Sequence, residues 1–140
     1  MSKPEPRPDD AHRFFFEGGR DNTLLITRCR TCGFYLHPPS IRCPRCGGSD
    51  LGPEAVSGRG RLYSFVVARQ AFATAFLDEL PYVLAMVELE EQTGLRLLTN
   101  IVDVPTTGEG LEIDMPVEVT FEPRGEWFVP MFRPAKVVTA

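Results

Sequence analysis

Two Cys-x-x-Cys-Gly turns, Cys29-Arg30-Thr31-Cys32-Gly33 and Cys43-Pro44-Arg45-Cys46-Gly47, stand ten residues apart in the chain. Each turn bends back so that its two sulfurs face one point, and the glycine that follows allows the tight backbone this needs. Two facing turns supply a tetrahedral cage of four thiolates, the arrangement preferred by Zn²⁺ with Zn–S distances of about 2.3 Å. The spacing therefore predicts one zinc per chain, held by Cys29, Cys32, Cys43 and Cys46. Iron in a rubredoxin-like site is the rival metal, since an S₄ geometry alone does not separate the two. A thioredoxin-type redox pair would leave the second Cys-x-x-Cys without a purpose. Four protein thiolates close the coordination sphere, so the expected metal is structural and its binding energy serves as folding energy.

The rest of the chain sorts around this unit. Residues 1–23 are expected to hold a proline-rich lead-in and a short helix over residues 11–17, capped by Asp9 or Asp10 and stopped by Gly18-Gly19. Phe14, Phe15 and Phe16 on that helix are too apolar to stay in water, so either the chain itself or a partner covers them. Residues 24–56 read as strand, cysteine pair, strand, cysteine pair, strand: the zinc ribbon. Residues 57–140 form the third unit. Stretches 61–69, 82–89, 95–102, 117–122 and 127–132 are rich in Val, Leu, Phe and Tyr and read as strands. Glu118, Thr120 and Glu122 alternate with Val117, Val119 and Phe121, which predicts one wet face. The apolar run at 82–87 belongs at the centre of a sheet, and the polar link at 90–94, ending in Gly94, suits a hairpin. Five such strands suggest a small barrel, with the OB-fold first among candidates. The fold class is thus mainly β: a short N-terminal helix, a rubredoxin-like zinc ribbon and a five-stranded OB-fold barrel. Between the first two barrel strands, Phe72, Phe76 and Leu80 share a four-residue spacing that suits one face of a short helix in a loop, either core or contact surface.

Catalytic equipment is scarce. All four thiols are committed to metal, His12 and His37 have no evident nucleophile beside them, and Ser57 and Ser64 have no evident histidine. No nucleophile-elbow or phosphate-loop motif occurs. The chain reads as a non-enzyme. A single-stranded nucleic-acid module is the alternative that an OB-fold invites, but such modules need a basic groove lined with aromatics. The chain carries a net charge of −4, and residues 51–140 hold seven basic against thirteen acidic side chains. Arg59, Arg61 and Arg69 make at most a small patch, so no nucleic-acid partner is expected. No apolar run of about 18 residues exists to span a membrane, and no apolar signal region opens the chain, which predicts a cytoplasmic setting.

The order of short motifs is more specific than any one of them. FFEG at 15–18 precedes the two cysteine turns. SGRGRLYSF at 57–65, PYVLAMVELEE at 81–91, LLTNIV at 97–102, MPVEVTFE at 115–122 and FRP at 132–134 follow. In this order the chain resembles the DUF35 family, a rubredoxin-like zinc ribbon followed by an OB-fold and associated with acyl-CoA enzymes. The resemblance implies a non-catalytic partner of a thiolase-superfamily enzyme in a hetero-oligomer: a thiolase, an acyltransferase, or a thiolase-like aldolase such as those of steroid side-chain degradation. It also implies that the four cysteines hold the metal and that an acyl-CoA site is shared with the partner. Phe14, Phe15, Phe16, Phe72 and Phe76 are then candidate contacts to the partner or acyl group. Arg59, Arg61 and Arg69 are candidate contacts to CoA phosphates, for which arginine is suited.

Overall fold

In a computed structural model the described residues are 12–68, 82–105 and 107–135. The lead-in, the 69–81 stretch with Arg69, Phe72, Phe76 and Leu80, and the last five residues lie outside them. A short helix, α1 (Arg13–Glu17), runs directly into a 3₁₀ turn over Gly18–Asp21. His12, not an aspartate, occupies the cap position and makes no side-chain capping bond. The two glycines do not stop the helical path either. It ends at Asn22, left-handed at φ 56°, whose N–H bonds back to Gly19. Gly19 is required for contact: a Cβ there would lie 2.4 Å from Phe128 Cβ and 2.8 Å from Phe121.

The ribbon is a three-stranded antiparallel sheet of β1 (Leu24–Cys29), β2 (Tyr35–Leu36) and β3 (Leu51–Val56), in the order β2-β1-β3. Leu24 and Ile26 are β-formers on one pleat face, and both are fully buried. They do not build a core of their own. They join Leu62, Val83, Val87, Leu97, Val117 and Phe132 in one continuous cluster.

The second body is a closed barrel of β4 (Arg59–Ala68), β5 (Tyr82–Leu89), β6 (Arg96–Ile101), β7 (Pro116–Arg124) and β8 (Trp127–Pro134), in the order β4-β5-β6-β8-β7. Closure removes the open edges a free sheet would carry. It depends on two local features. The ladder of β4 shifts register between Leu62 and Ser64, a bulge that bends the strand. The start of β4 (Arg59, Gly60 and Arg61) thereby pairs with both β7 and β5. The ring is then sealed by a parallel contact of β6 with β8 at Ile101 and Phe132. This is the five-stranded barrel expected of the sequence. β5 sits between β4 and β6, as its apolar run required, with Val83, Ala85 and Val87 facing inward.

The wet face expected of β7 is drier than alternation suggests. Glu118 is half-buried against Arg133 at 3.1 Å, and Glu122 against Arg124 at 3.4 Å. The reason is Arg133 of β8 and Arg124 at the end of β7, which cover the outer side with ion pairs.

Candidate metal centre

The cysteine turns are built alike. In the first, Gly33 N–H donates to Cys29 O at 2.9 Å and Cys29 N–H to Phe34 O at 2.8 Å. In the second, Gly47 N–H donates to Cys43 O and Cys43 N–H to Gly48 O at the same two distances. Gly33 and Gly47 close the turns at φ 81° and 76°, a region that side chains with a Cβ avoid. β1 delivers Cys29 and the sheet fixes one turn against the other. All four Sγ atoms lie within 4.8 Å of one another, and two cross-turn pairs, Cys29–Cys46 and Cys32–Cys43, are 3.6 Å apart. Four sulfurs at about 2.3 Å from a tetrahedral metal stand about 3.8 Å apart, so the set has the size of an S₄ metal cage.

Electrostatics point the same way. The Cys32 N–H, helped by that of Thr31, holds the Cys29 thiol down to about 6 despite its burial. Burial raises Cys43, but the N–H groups of Cys46 and Arg45 outweigh it and leave it below the ordinary thiol range. At Cys46 the Gly48 N–H pulls downward, yet the three neighbouring sulfurs push the thiol up to about 11. Four sulfurs this close cannot all ionise alone; a divalent cation is what lets them. The residues present fit a four-thiolate metal.

The remaining candidates fall in different places. Phe14, Phe15 and Phe16 are half-buried by the chain itself. Phe15 packs on the common core and stacks on His37 at 4.9 Å, with Phe16 edge-on at 5.2 Å. Burial, reinforced by His12, pushes His37 down to about 4 and keeps it neutral. Arg59 is bound by Glu90 at 3.2 Å. Arg61 is bound by Glu88 at 2.6 Å and by Asp114, and these pairs hold its guanidinium firmly charged. A CoA phosphate meeting either arginine would first have to displace a carboxylate. Arg69, Phe72 and Phe76 lie outside the described residues.

Sequence reasoning missed three groupings. Gln92, in the hairpin between β5 and β6, accepts from Tyr35 N–H at 2.9 Å and donates to Tyr35 O at 2.8 Å, tying ribbon to barrel. Glu88 is nearly buried and receives Arg61, Arg96 and the Gly94 N–H, while Arg96 also lies 3.8 Å over the Tyr63 ring. Arg42 and Arg45, in the second turn region, form no ion pair among the described residues. Only the last carried a signal, an acid-free stretch between Asp21 and Asp50 that holds four arginines. Among the described residues no helix is long and apolar enough to cross a membrane.

Comparison with known proteins covers both bodies. Residues 16–52 match the model of the ChsH2 rubredoxin-like zinc ribbon domain, and residues 53–122 that of the ChsH2 C-terminal OB-fold domain. A probable enoyl-CoA hydratase alpha subunit of Thermomonospora curvata is 40% identical over 134 residues, which are 95% of this chain and 40% of that protein. The chain thus spans two fifths of that relative. The benzoylsuccinyl-CoA thiolase subunit BbsA of Thauera aromatica is 32% identical over 74% of this chain and 72% of its own length. Among solved structures, a chain of the Ltp2-ChsH2(DUF35) aldolase superposes with a TM-score of 0.79 at 39% identity, covering 93% of this chain and 98% of that one.

Proposed function

Because the chain belongs to the DUF35 family, in its ChsH2-type form of zinc ribbon and OB-fold, we propose that it is a non-catalytic accessory subunit of a thiolase-superfamily acyl-CoA enzyme. The observation that carries this reading is the likeness to the ChsH2(DUF35) chain of an aldolase over 98% of that chain. A thiolase subunit among the relatives supports the enzyme class. Within that class, a thiolase-like aldolase, of the kind that acts on steroid side chains, is the finer reading.

The metal is zinc, one per chain, with Cys29, Cys32, Cys43 and Cys46 as its ligands. When bound it supplies a cross-link rather than a reactive site, since four thiolates leave no position for water or substrate. The chain's own residues then present a fixed surface to the enzyme and contribute to the wall of its acyl-CoA site. The setting is the cytoplasm, where thiols stay reduced and available to metal.

Affinity-tagged chain, purified from its native cells, tests this with mass spectrometry of what accompanies it. A thiolase-like protein at fixed ratio is expected, with acyl-CoA turnover by the complex and none by the isolated chain. Recovery of the chain alone, or turnover by the chain alone, would overturn the reading. Elemental analysis should give one zinc per chain; a coloured, iron-bearing protein would correct the metal. Salt-sensitive binding of single-stranded oligonucleotides would favour the nucleic-acid alternative instead.

A further inference from the structure

We propose that the outer tip of the ribbon, Ile41 flanked by Arg42 and Arg45, docks into an apolar recess with an acidic rim on the enzyme subunit; the proposal rests on the accessory-subunit reading above. Ile41 is 88% exposed, against 66% for Leu98 and 59% for Val66 on the barrel's outer face. A branched aliphatic side chain exposed to this extent is covered by little of the described chain.

Its base is fixed on both sides. Before it, the backbone of Tyr35 is bonded in both directions to Gln92, Leu36 is buried, and His37 stacks on Phe15. After it comes Cys43, buried in the metal centre. An apolar anchor presented on a rigid base loses little conformational entropy when it docks, which is what makes a single residue worth much at an interface.

Charge names the occupant. Between Asp21 and Asp50 the chain has four arginines and no acidic residue. Arg28 is paired with Glu54 and Arg30 with Asp50. Arg42 and Arg45 are both exposed, and among the described residues their side chains make only a bond from Arg42 to Gly47 O at 3.3 Å and a contact of Arg45 over the Phe34 ring at 5.9 Å. Two guanidiniums with no ion pair among the described residues, beside an exposed isoleucine, fit an apolar pocket bordered by carboxylates, which would also steer the encounter. The barrel's outer strip (Val66, Leu84, Met86 and Leu98) carries no such free charge, because Arg61 and Arg96 beside it are held by Glu88.

The test uses the thiolase-like subunit recovered by the co-purification above, expressed by itself, and titrated with full-length chain at low and moderate salt. Zinc content is measured for every variant. Ile41→Asp should weaken binding by about 30-fold or more, the effect of losing a hot-spot anchor. Arg42→Glu with Arg45→Glu should slow association by about tenfold and flatten its salt dependence. Leu98→Asp, on the barrel strip, should bind as wild type does. Should Ile41→Asp lose zinc, the charge-reversed pair decides. If the zinc-replete variants bind like wild type, the tip is not the docking surface and the accessory reading stands without it. If the wild-type chain itself does not bind, both fall.

Discussion

Single side chains divide into those whose role was written in the sequence and those whose role only the fold creates. The cysteines belong to the first group. Replacing Cys32 by serine leaves three thiolates, and the variant should lose most of its bound metal and its ribbon packing, read by elemental analysis and near-ultraviolet circular dichroism. Gln92 belongs to the second. In the chain it is one polar residue in a turn, and nothing local says that its amide will complete the hydrogen bonding of Tyr35, 57 positions earlier. Gln92→Ala should destabilise the protein by about 1–3 kcal/mol, since two backbone groups lose their partner. His37 gives a pH signature. Its folded-state value of about 4 lies below the ordinary 6.5, so on acidification the unfolded chain takes up the proton first. The stability His37 preserves is complete above pH 6.5 and is lost as pH falls toward 4, by up to roughly 3 kcal/mol at 1.36 kcal/mol per unit. Urea unfolding across that range should fall more steeply for wild type than for His37→Phe; equal slopes would refute the assignment.

Among the elements, the strands were legible because their signal is periodic and local. Five β-rich stretches became β4 to β8 with small changes at the ends, and the hairpin after Leu89 lies where Gly94 announced it. What closes the barrel was not legible. A single parallel pair between Ile101 and Phe132 and a one-residue shift in β4 are long-range outcomes of packing, with no residue pattern of their own. The start of the short helix failed for a related reason. A five-residue helix draws its stability from docking on β8 rather than from its cap, so the capping tendency of Asp9 and Asp10 does not set its start. Gly19, in the 3₁₀ turn that follows, leaves no room for a Cβ against Phe121 and Phe128. Gly19→Ala should therefore destabilise by about 1–3 kcal/mol through overpacking against Phe121 and Phe128, measured by chemical denaturation. An unchanged midpoint would mean that the 3₁₀ turn can lift away without consequence.

On the scale of the molecule, ribbon and barrel share one core through Leu24 and Ile26. Metal loss should therefore reach the barrel. Thermal unfolding is expected as a single transition, with a chelator lowering its midpoint as a whole; a separate early ribbon transition would show that the shared core does not couple the two. The sequence marked out two kinds of unit clearly, since cysteine spacing and strand periodicity are each read locally, but it held no sign that their apolar faces merge. The amide of Gln92 has one more consequence at this scale. β2 is one of the two edge strands of its sheet, and a bare strand edge invites a neighbouring molecule to add itself. By occupying the N–H and carbonyl of Tyr35, one glutamine acts as a plug against self-recruitment at this edge.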